Sequence, residues 1–307
     1  MGGKWPGKGW WLGGLLCLLA GSAGANGTTA SGHSDASVRP LQFGLLPYVS
    51  TRKLFTYYRP LRDYLVRILG RPVHLSTAPD FSTYLQRAGE GEYDLYHTAP
   101  HFAALAEARY GYRRVSRLLR DLDGSVVVAR DGPIQSAADL RGRTLATPDS
   151  LAIISFLGER WLRDNGLRPG MDVEVQHLAS HNSAILAVAR GEAEAAVTSA
   201  AVFENMPAQI SRRLRVLAST RAVPHMMFMA GSRLSDEEYR TLRQALLAYT
   251  AEGAGRDFFA LTGYGDMVPI RDEDMRRLQP FVRILNDHLR QVSQTPSSKR
   301  PTTWGHH

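Results

Sequence analysis

Between residues 136 and 166 the hydrophobic period changes twice. Ser136 followed by Asp139 is a helix-start pair, and Gly142 supplies the stop. Residues 143–147 then take the two-residue period of a strand, which Pro148 ends. From there Leu151, Ile154, Leu157, Trp161 and Leu162 recur at helical spacing until Gly166, with Asp149 or Ser150 placed to cap the start. A strand that feeds a helix through a tight turn leaves the first helical N–H groups free and the positive dipole end exposed, which suits an anion. Further strands are predicted at 125–129 and 215–220, and helices at 236–253 and 272–291.

The same pattern occurs twice. Residues 73–99 overlie 173–199 without a gap: Val73 falls on Val173, Leu75 on Val175, Leu85 on Ile185, Gly91-Glu92 on Gly191-Glu192, Asp94 on Glu194 and Thr98 on Thr198. Upstream, residues 43–47 resemble 144–148, and long helices follow at 54–69 and 151–165. Each half reads β-α-β-α-β, so the predicted fold is two similar open α/β lobes. Ligands in open parallel sheets sit beyond the carboxyl ends of the strands. Two such edges facing one another make a cleft, walled by Pro47-Tyr48, Asp80-Phe81-Ser82 and His97-Thr98 on one side and by Asp149-Ser150, Ser180-His181-Asn182 and Thr198-Ser199 on the other. The strands at 125–129 and 215–220 are the predicted crossings of a two-strand hinge. Lobe 1 is expected over 40–125 and 222–292, where the C-terminal helices pack back, and lobe 2 over 126–221.

The amino terminus sets the compartment. Lys4 and Lys8 precede a short apolar run over residues 10–20, and Ala23-Gly24-Ala25 has the form of a cleavage site. Residues 1–25 are therefore read as a cleavable signal peptide that directs the chain to the periplasm, followed by a flexible segment at 26–39. Cleavage removes the single cysteine, Cys17, so neither a disulfide nor a thiolate metal site is expected. It also lowers the formal charge of +8 by two. The remaining arginines are spread along helices instead of clustered with aromatic or groove-reading motifs, which argues against nucleic acid as a partner. The Ser/Pro/Thr-rich tail at 293–307 is expected to be disordered.

Several segments together carry a family resemblance: FGLLPY, YRPLRDYLVRILGRPVHLSTAPDFSTYL, YDLYHTAPHFAALA, ADLRGRTLATPDS, SHNSAILAVARGEAEAAVTSA and VLASTRAVPH. Over residues 41–285 the chain resembles the periplasmic binding proteins for phosphonate, phosphite and phosphate that serve ABC transporters, within the two-hinge bilobed class. The resemblance implies capture of a small oxyanion without chemistry on it, delivery to an inner-membrane ABC permease, action as a monomer, and no cofactor. Presentation of the ligand-bound form to a membrane sensor kinase is the alternative.

Where the family continues its second-lobe turn as Ser-Thr-Ser-Gly, only Ser150 matches, and Leu151, Ala152 and Ile153 fill the other places. Histidine is the replacement donor in this reading: His97 and His181 fall at equivalent cleft edges, and His225 follows Pro224 after the return crossing. The expected ligand contacts are Tyr48, Phe81, Tyr96, His97, Thr98, Ser150, His181, Asn182, Thr198 and His225. His97 and His101 have the spacing of a helical metal pair, but no nearby acid or cysteine completes a ligand set, so no metal is expected. Neither a nucleophile elbow, a Walker loop nor an H-E-x-x-H motif is present, and the chain is not read as an enzyme.

Overall fold

The computed structural model describes residues 39–294. The predicted leader, most of the segment that follows it and the tail beyond residue 294 lie outside the described residues. In chain order the first part runs β1 (Leu41–Leu45), α1 (Thr51–Leu69), β2 (Val73–Ser76), α2 (Phe81–Gly89), β3 (Leu95–Thr98), α3 (Pro100–Tyr110) and β4 (Arg113–Leu118). The middle runs β5 (Gly124–Ala129), β6 (Thr144–Thr147), α4 (Ile153–Asp164), β7 (Glu174–His177), α5 (His181–Arg190), β8 (Ala195–Ser199), α6 (Ala200–Glu204), α7 (Ala208–Ser211) and β9 (Leu214–Ser219). The last part is β10 (Met227–Ala230), α8 (Asp236–Ala248), α9 (Gly253–Thr262), β11 (Met267–Val268) and α10 (Asp272–Gln294).

Two sheets form, each the core of an α/β lobe. From one edge the first reads β2-β1-β3-β10-β4-β11 and the second β7-β6-β8-β5-β9. In both, three parallel strands meet an antiparallel one, β10 beside β3 or β5 beside β8, which in turn pairs with β4 or β9. The internal repeat extends to single hydrogen bonds. Asp94 accepts the Gln42 N–H with its carboxylate at 2.8 Å while its own N–H donates to the Gln42 carbonyl at 2.9 Å. Glu194 does the same with Thr144, at 3.0 and 3.2 Å.

The predicted crossing strands lie elsewhere than expected. Residues 125–129 and 215–220 fall almost wholly within β5 and β9 of the second sheet, because Val126, Val127 and Val128 are fully buried and need partners on both edges. The chain passes between the sheets just outside them, at 119–123 and 220–226, where Leu122 and Val223 exchange backbone hydrogen bonds of 2.7 and 2.9 Å. The helix expected over 236–253 is two: α8 ends at Ala248, and α9 starts at Gly253 after a 3₁₀ turn.

The core is unevenly shared. The α5 side of the second sheet has its own cluster around Val127, Ala146, Ala184 and Ile185. The α4 side, with Leu151, Ile153, Ile154, Phe156 and Leu157, belongs to one continuous apolar cluster with the first lobe. Gly158 lets α4 lie close on β8, since a Cβ there would stand 2.6 Å from Val197 Cγ1. The C-terminal helix α10 packs on α3 and also reaches α4.

Candidate functional site at the facing sheet edges

Six helices start at the carboxyl ends of parallel strands: α1, α2 and α3 after β1, β2 and β3, and α4, α5 and α6 after β6, β7 and β8. The starts of α3 and α4 face one another across the lobes, where His101 reaches the Leu151 carbonyl, and Asp80 at the start of α2 feels the charge of Asp149. Asp80 caps α2 by accepting the Thr83 N–H, and Ser180 caps α5 by accepting the Ser183 N–H. By contrast, α1, α3 and α4 begin at Ser50, Ala99 and Ala152 with no side-chain cap. The backbone groups at these three starts, of which Pro100 carries no N–H, therefore have no side-chain acceptor from their cap residue.

The turn after β6 differs from the expected cap. Asp149 accepts the Leu151 N–H at 2.8 Å, Ser155 Oγ donates to the Asp149 carbonyl at 2.8 Å, and the helix starts only at Ile153. Asp149 is thus used to close the turn before the helix, and Ser150 is half-buried. Burial raises the Asp149 carboxyl above its usual range; the Leu151 N–H opposes this, and Asp80 of the other lobe adds to it. Leu151, Ala152 and Ile153 are buried. Across from them His101, in the first turn of α3, donates from Nε2 to the Leu151 carbonyl at 2.9 Å, leaving Nδ1 buried without a partner among the described residues. His97 lies in β3 and His101 in α3, so they do not share a helix face as a metal pair would.

In the second lobe His181 is the first residue of α5. Its Nδ1 accepts the Ser199 backbone N–H at 3.3 Å and lies 3.3 Å from Thr198 Oγ1. A backbone N–H can only donate, so in the neutral ring the proton sits on Nε2, which becomes a donor. Burial pushes His181 down to about 4, so it is neutral at neutral pH. Asn182 is exposed beside it, and Thr198 is fully buried.

At the hinge side of the first lobe aromatic hydroxyls and imidazoles gather. Tyr264 donates to the Tyr48 hydroxyl at 3.0 Å, Tyr48 lies beside Tyr58, and the Tyr58 hydroxyl is 3.1 Å from His97 Nε2. His225 accepts the Met226 N–H on Nδ1 at 2.8 Å and stands 5.1 Å from the Tyr264 ring. Burial pushes His97 and His225 down to about 3, with the neighbouring Arg117 adding to the effect on His225. The three phenols are pushed up by burial, so the cluster is uncharged.

The remaining expected contacts are Tyr96 and Thr98, on one face of β3, and Phe81, at the start of α2. Tyr96 is fully buried in a stack with Tyr84 and Tyr93 at 5.1 and 5.7 Å. Phe81 packs edge-on against Phe102. Thr98 Oγ1 is buried with no hydrogen-bond partner among the described residues. Sequence reasoning does not reach Tyr58, Tyr264 or Arg117. Tyr58 lies on the apolar stripe Leu54-Tyr58-Leu61-Leu65 of α1 and reads as core, while Tyr264 is 216 residues from the hydroxyl it bonds.

These neutral histidines set an acid limit on stability. His97, His101 and His225 are neutral in the fold to about pH 3–4, whereas their ordinary value is 6.5. Below pH 6.5 the unfolded chain takes up protons that the folded one refuses, so stability falls as pH falls through this window. The slope should approach about 1.4 kcal/mol per pH unit for each buried histidine. Urea midpoints between pH 7.5 and 4.5 measure it, and a flat profile would contradict neutral burial.

Two α/β lobes of one strand order, joined by two crossings and meeting at helix N-termini, define a bilobed solute receptor of the periplasmic-binding-protein kind. Solved structures share this fold. A binding protein component of an ABC phosphonate transporter from Pseudomonas aeruginosa superposes with a TM-score of 0.69 at 16% identity, covering 83% of this chain and 97% of that one. PhnD1 from Prochlorococcus marinus, in complex with methylphosphonate, gives 0.73 at 13% identity, covering 80% and 98%. A Xanthomonas citri protein bound to ATP gives 0.67 at 22%, covering 81% and 98%. The family described as ABC transporter, phosphonate, periplasmic substrate-binding protein matches residues 43–275, and the chain belongs to it. Such proteins are solute-binding components of importers, not enzymes.

Proposed function

We propose that the chain captures a small oxyanion of the phosphonate, phosphite or phosphate type between lobes spanning 40–125 with 222–292 and 126–221, and delivers it as a monomer to an ABC permease. A leader over residues 1–25 would bring it to the periplasm. The observation that carries the reading is His181: the Ser199 N–H on Nδ1 fixes Nε2 as a donor, at a sheet edge where helix N-termini converge. Neutral donors and dipole ends suit an oxyanion because they stabilise its charge without requiring a buried cation. The Ser150 turn, Thr198 and Tyr48 complete the contact set in this reading. Two neighbours of the same fold hold phosphorus oxyanions, methylphosphonate and ATP. Family membership favours uptake over sensing.

A thermal-shift and calorimetry panel of phosphate, phosphite, alkylphosphonates, sulfate and carboxylates tests this. A phosphorus oxyanion at a hundred times its dissociation constant should stabilise the fold by about 2.7 kcal/mol. If none of them shifts the melting temperature and a cationic or apolar solute does, the proposal fails.

A further inference from the structure

Residues 51–74 hold five arginines and one lysine against a single acid, Asp63, an excess of five in a chain whose formal charge is +8. Most of them lie on α1. The buried residues Leu54, Tyr58, Leu61 and Leu65 fix the side of that helix that packs on the lobe. Arg52, Arg59, Asp63 and Arg67 therefore share the outward side at helical spacing, and all four are exposed, as is Lys53. Its 19 residues give this face a length of about 28 Å. Three of the six cations are paired: Arg62 with Asp63 at 2.6 Å, Arg67 with Glu252 at 3.1 Å and Arg71 with Glu238 at 2.8 Å. Arg52, Lys53 and Arg59 are in no ion pair among the described residues. Arg52 and Lys53 also stand in the first turn, where the helix dipole disfavours cations, whereas the first turns of α8 and α10 each carry three acids. Folding stability does not account for that placement. At the other end of the helix an open depression of about 560 Å³ lies between α1 and the start of β2, lined by Arg62, Val66, Arg71 and His74 among others. Arg71 is buried in its wall, and its Nη2 has no hydrogen-bond partner among the described residues.

We propose that the outward face of α1 docks on an anionic bilayer, with Arg52, Lys53 and Arg59 over the lipid phosphates and the depression beside β2 open to a phosphodiester headgroup. The cations are drawn out along one convex helix instead of gathered round a pocket. A planar, evenly charged surface meets all of them at once, whereas a single carboxylate of an acidic protein meets one or two. The attraction is long-ranged and screened by salt, and it would hold the receptor beside the membrane that carries its proposed permease.

Co-sedimentation with vesicles tests the proposal. The full chain is mixed with vesicles of phosphatidylglycerol and phosphatidylethanolamine, or of phosphatidylcholine alone, and the ratio of the two partition coefficients cancels apolar binding common to both. The parent protein should prefer the anionic vesicles and lose that preference as sodium chloride is raised. Arg52→Gln, Lys53→Gln and Arg59→Gln together should lower the ratio about 100-fold, near five-fold for each charge. Arg190→Gln, Arg212→Gln and Arg213→Gln remove the same charge from exposed positions of the second lobe and should lower it less than about five-fold. All six positions are exposed and glutamine is a good helix former, so both variants keep the fold. A parent protein without preference for anionic vesicles overturns the proposal. So does an equal loss in the two variants, which is the mark of net charge alone. Capture by immobilised polyglutamate without vesicle binding assigns the face to an acidic protein and likewise overturns it. The readout uses no cleft ligand, so its failure leaves the oxyanion proposal standing.

Discussion

Asp94→Ala is expected to destabilise the protein by about 3 kcal/mol. The Asp94 side chain is fully buried. One carboxylate oxygen accepts from Arg39 at 2.8 Å and Arg233 at 3.1 Å, and the other from Arg39 at 3.0 Å and the Gln42 N–H at 2.8 Å. Alanine would leave the Gln42 N–H of β1 without this acceptor and open a cavity beside β3. Both arginines keep 45–49% of their side-chain surface in water, so they resolvate, and the cost stays below that of stranding a buried charge. Asp94→Asn retains the shape and an acceptor for Gln42 and should cost less.

The pH dependence of the same site has a definite sign. Burial alone would raise the Asp94 carboxyl, but the hydrogen bonds from Arg39 and Gln42 and the charge of Arg233 outweigh it and hold it below the usual carboxylate range. A depressed carboxyl contributes stability above its unfolded value near 3.8, and that contribution disappears as pH falls through the folded value. Asp94→Ala should therefore lower the urea midpoint at pH 7 and flatten the decline below pH 4, while leaving the histidine-driven slope between pH 6.5 and 4.5 unchanged. A midpoint at pH 7 equal to that of the parent protein would count against this reading.

His181→Ala should weaken oxyanion binding by about 10- to 100-fold, the range for loss of a hydrogen bond to a charged group. His181→Gln is the informative companion: its amide can still donate, but without the ring nitrogen that accepts the Ser199 N–H its geometry is less fixed. Intermediate affinity is expected. Because His181 is neutral down to about pH 4, its own contribution should not change between pH 6 and 8. Calorimetry with the tightest oxyanion of the panel measures both variants. Parent-like affinity in His181→Ala would remove this residue from the site.

Much of the architecture was legible because it depends on local periodicity. Residues 143–147 and the stripe from Leu151 to Leu162 predict β6 and α4 to within a few residues, and the offset of 100 that lays Asp94 on Glu194 corresponds to equivalent hydrogen bonds in the two sheets. The helix start was less legible. Asp149 and Ser150 both look like caps in a linear reading, yet Asp149 is consumed by the turn and Ala152 stands at the cap position. Turn geometry that draws on Ser155, six residues further on, leaves no signature in the spacing of Asp149 and Ser150.

By itself the sequence determined the repeated β-α-β-α-β order, the pairing of strand ends with helix starts and the family. Each of these follows from residue type and short-range spacing. Tertiary structure alone decided which protonation and tautomeric states the histidines hold. Burial makes His97, His101, His181 and His225 neutral, and single backbone groups, the Ser199 N–H and the Leu151 carbonyl, place the proton on Nε2 of His181 and His101. Only the fold brings Tyr264 to Tyr48 or sets Phe156 between two histidines of the other lobe. Desolvation and long-range contact are properties of the packed chain, and neither is encoded at any one position.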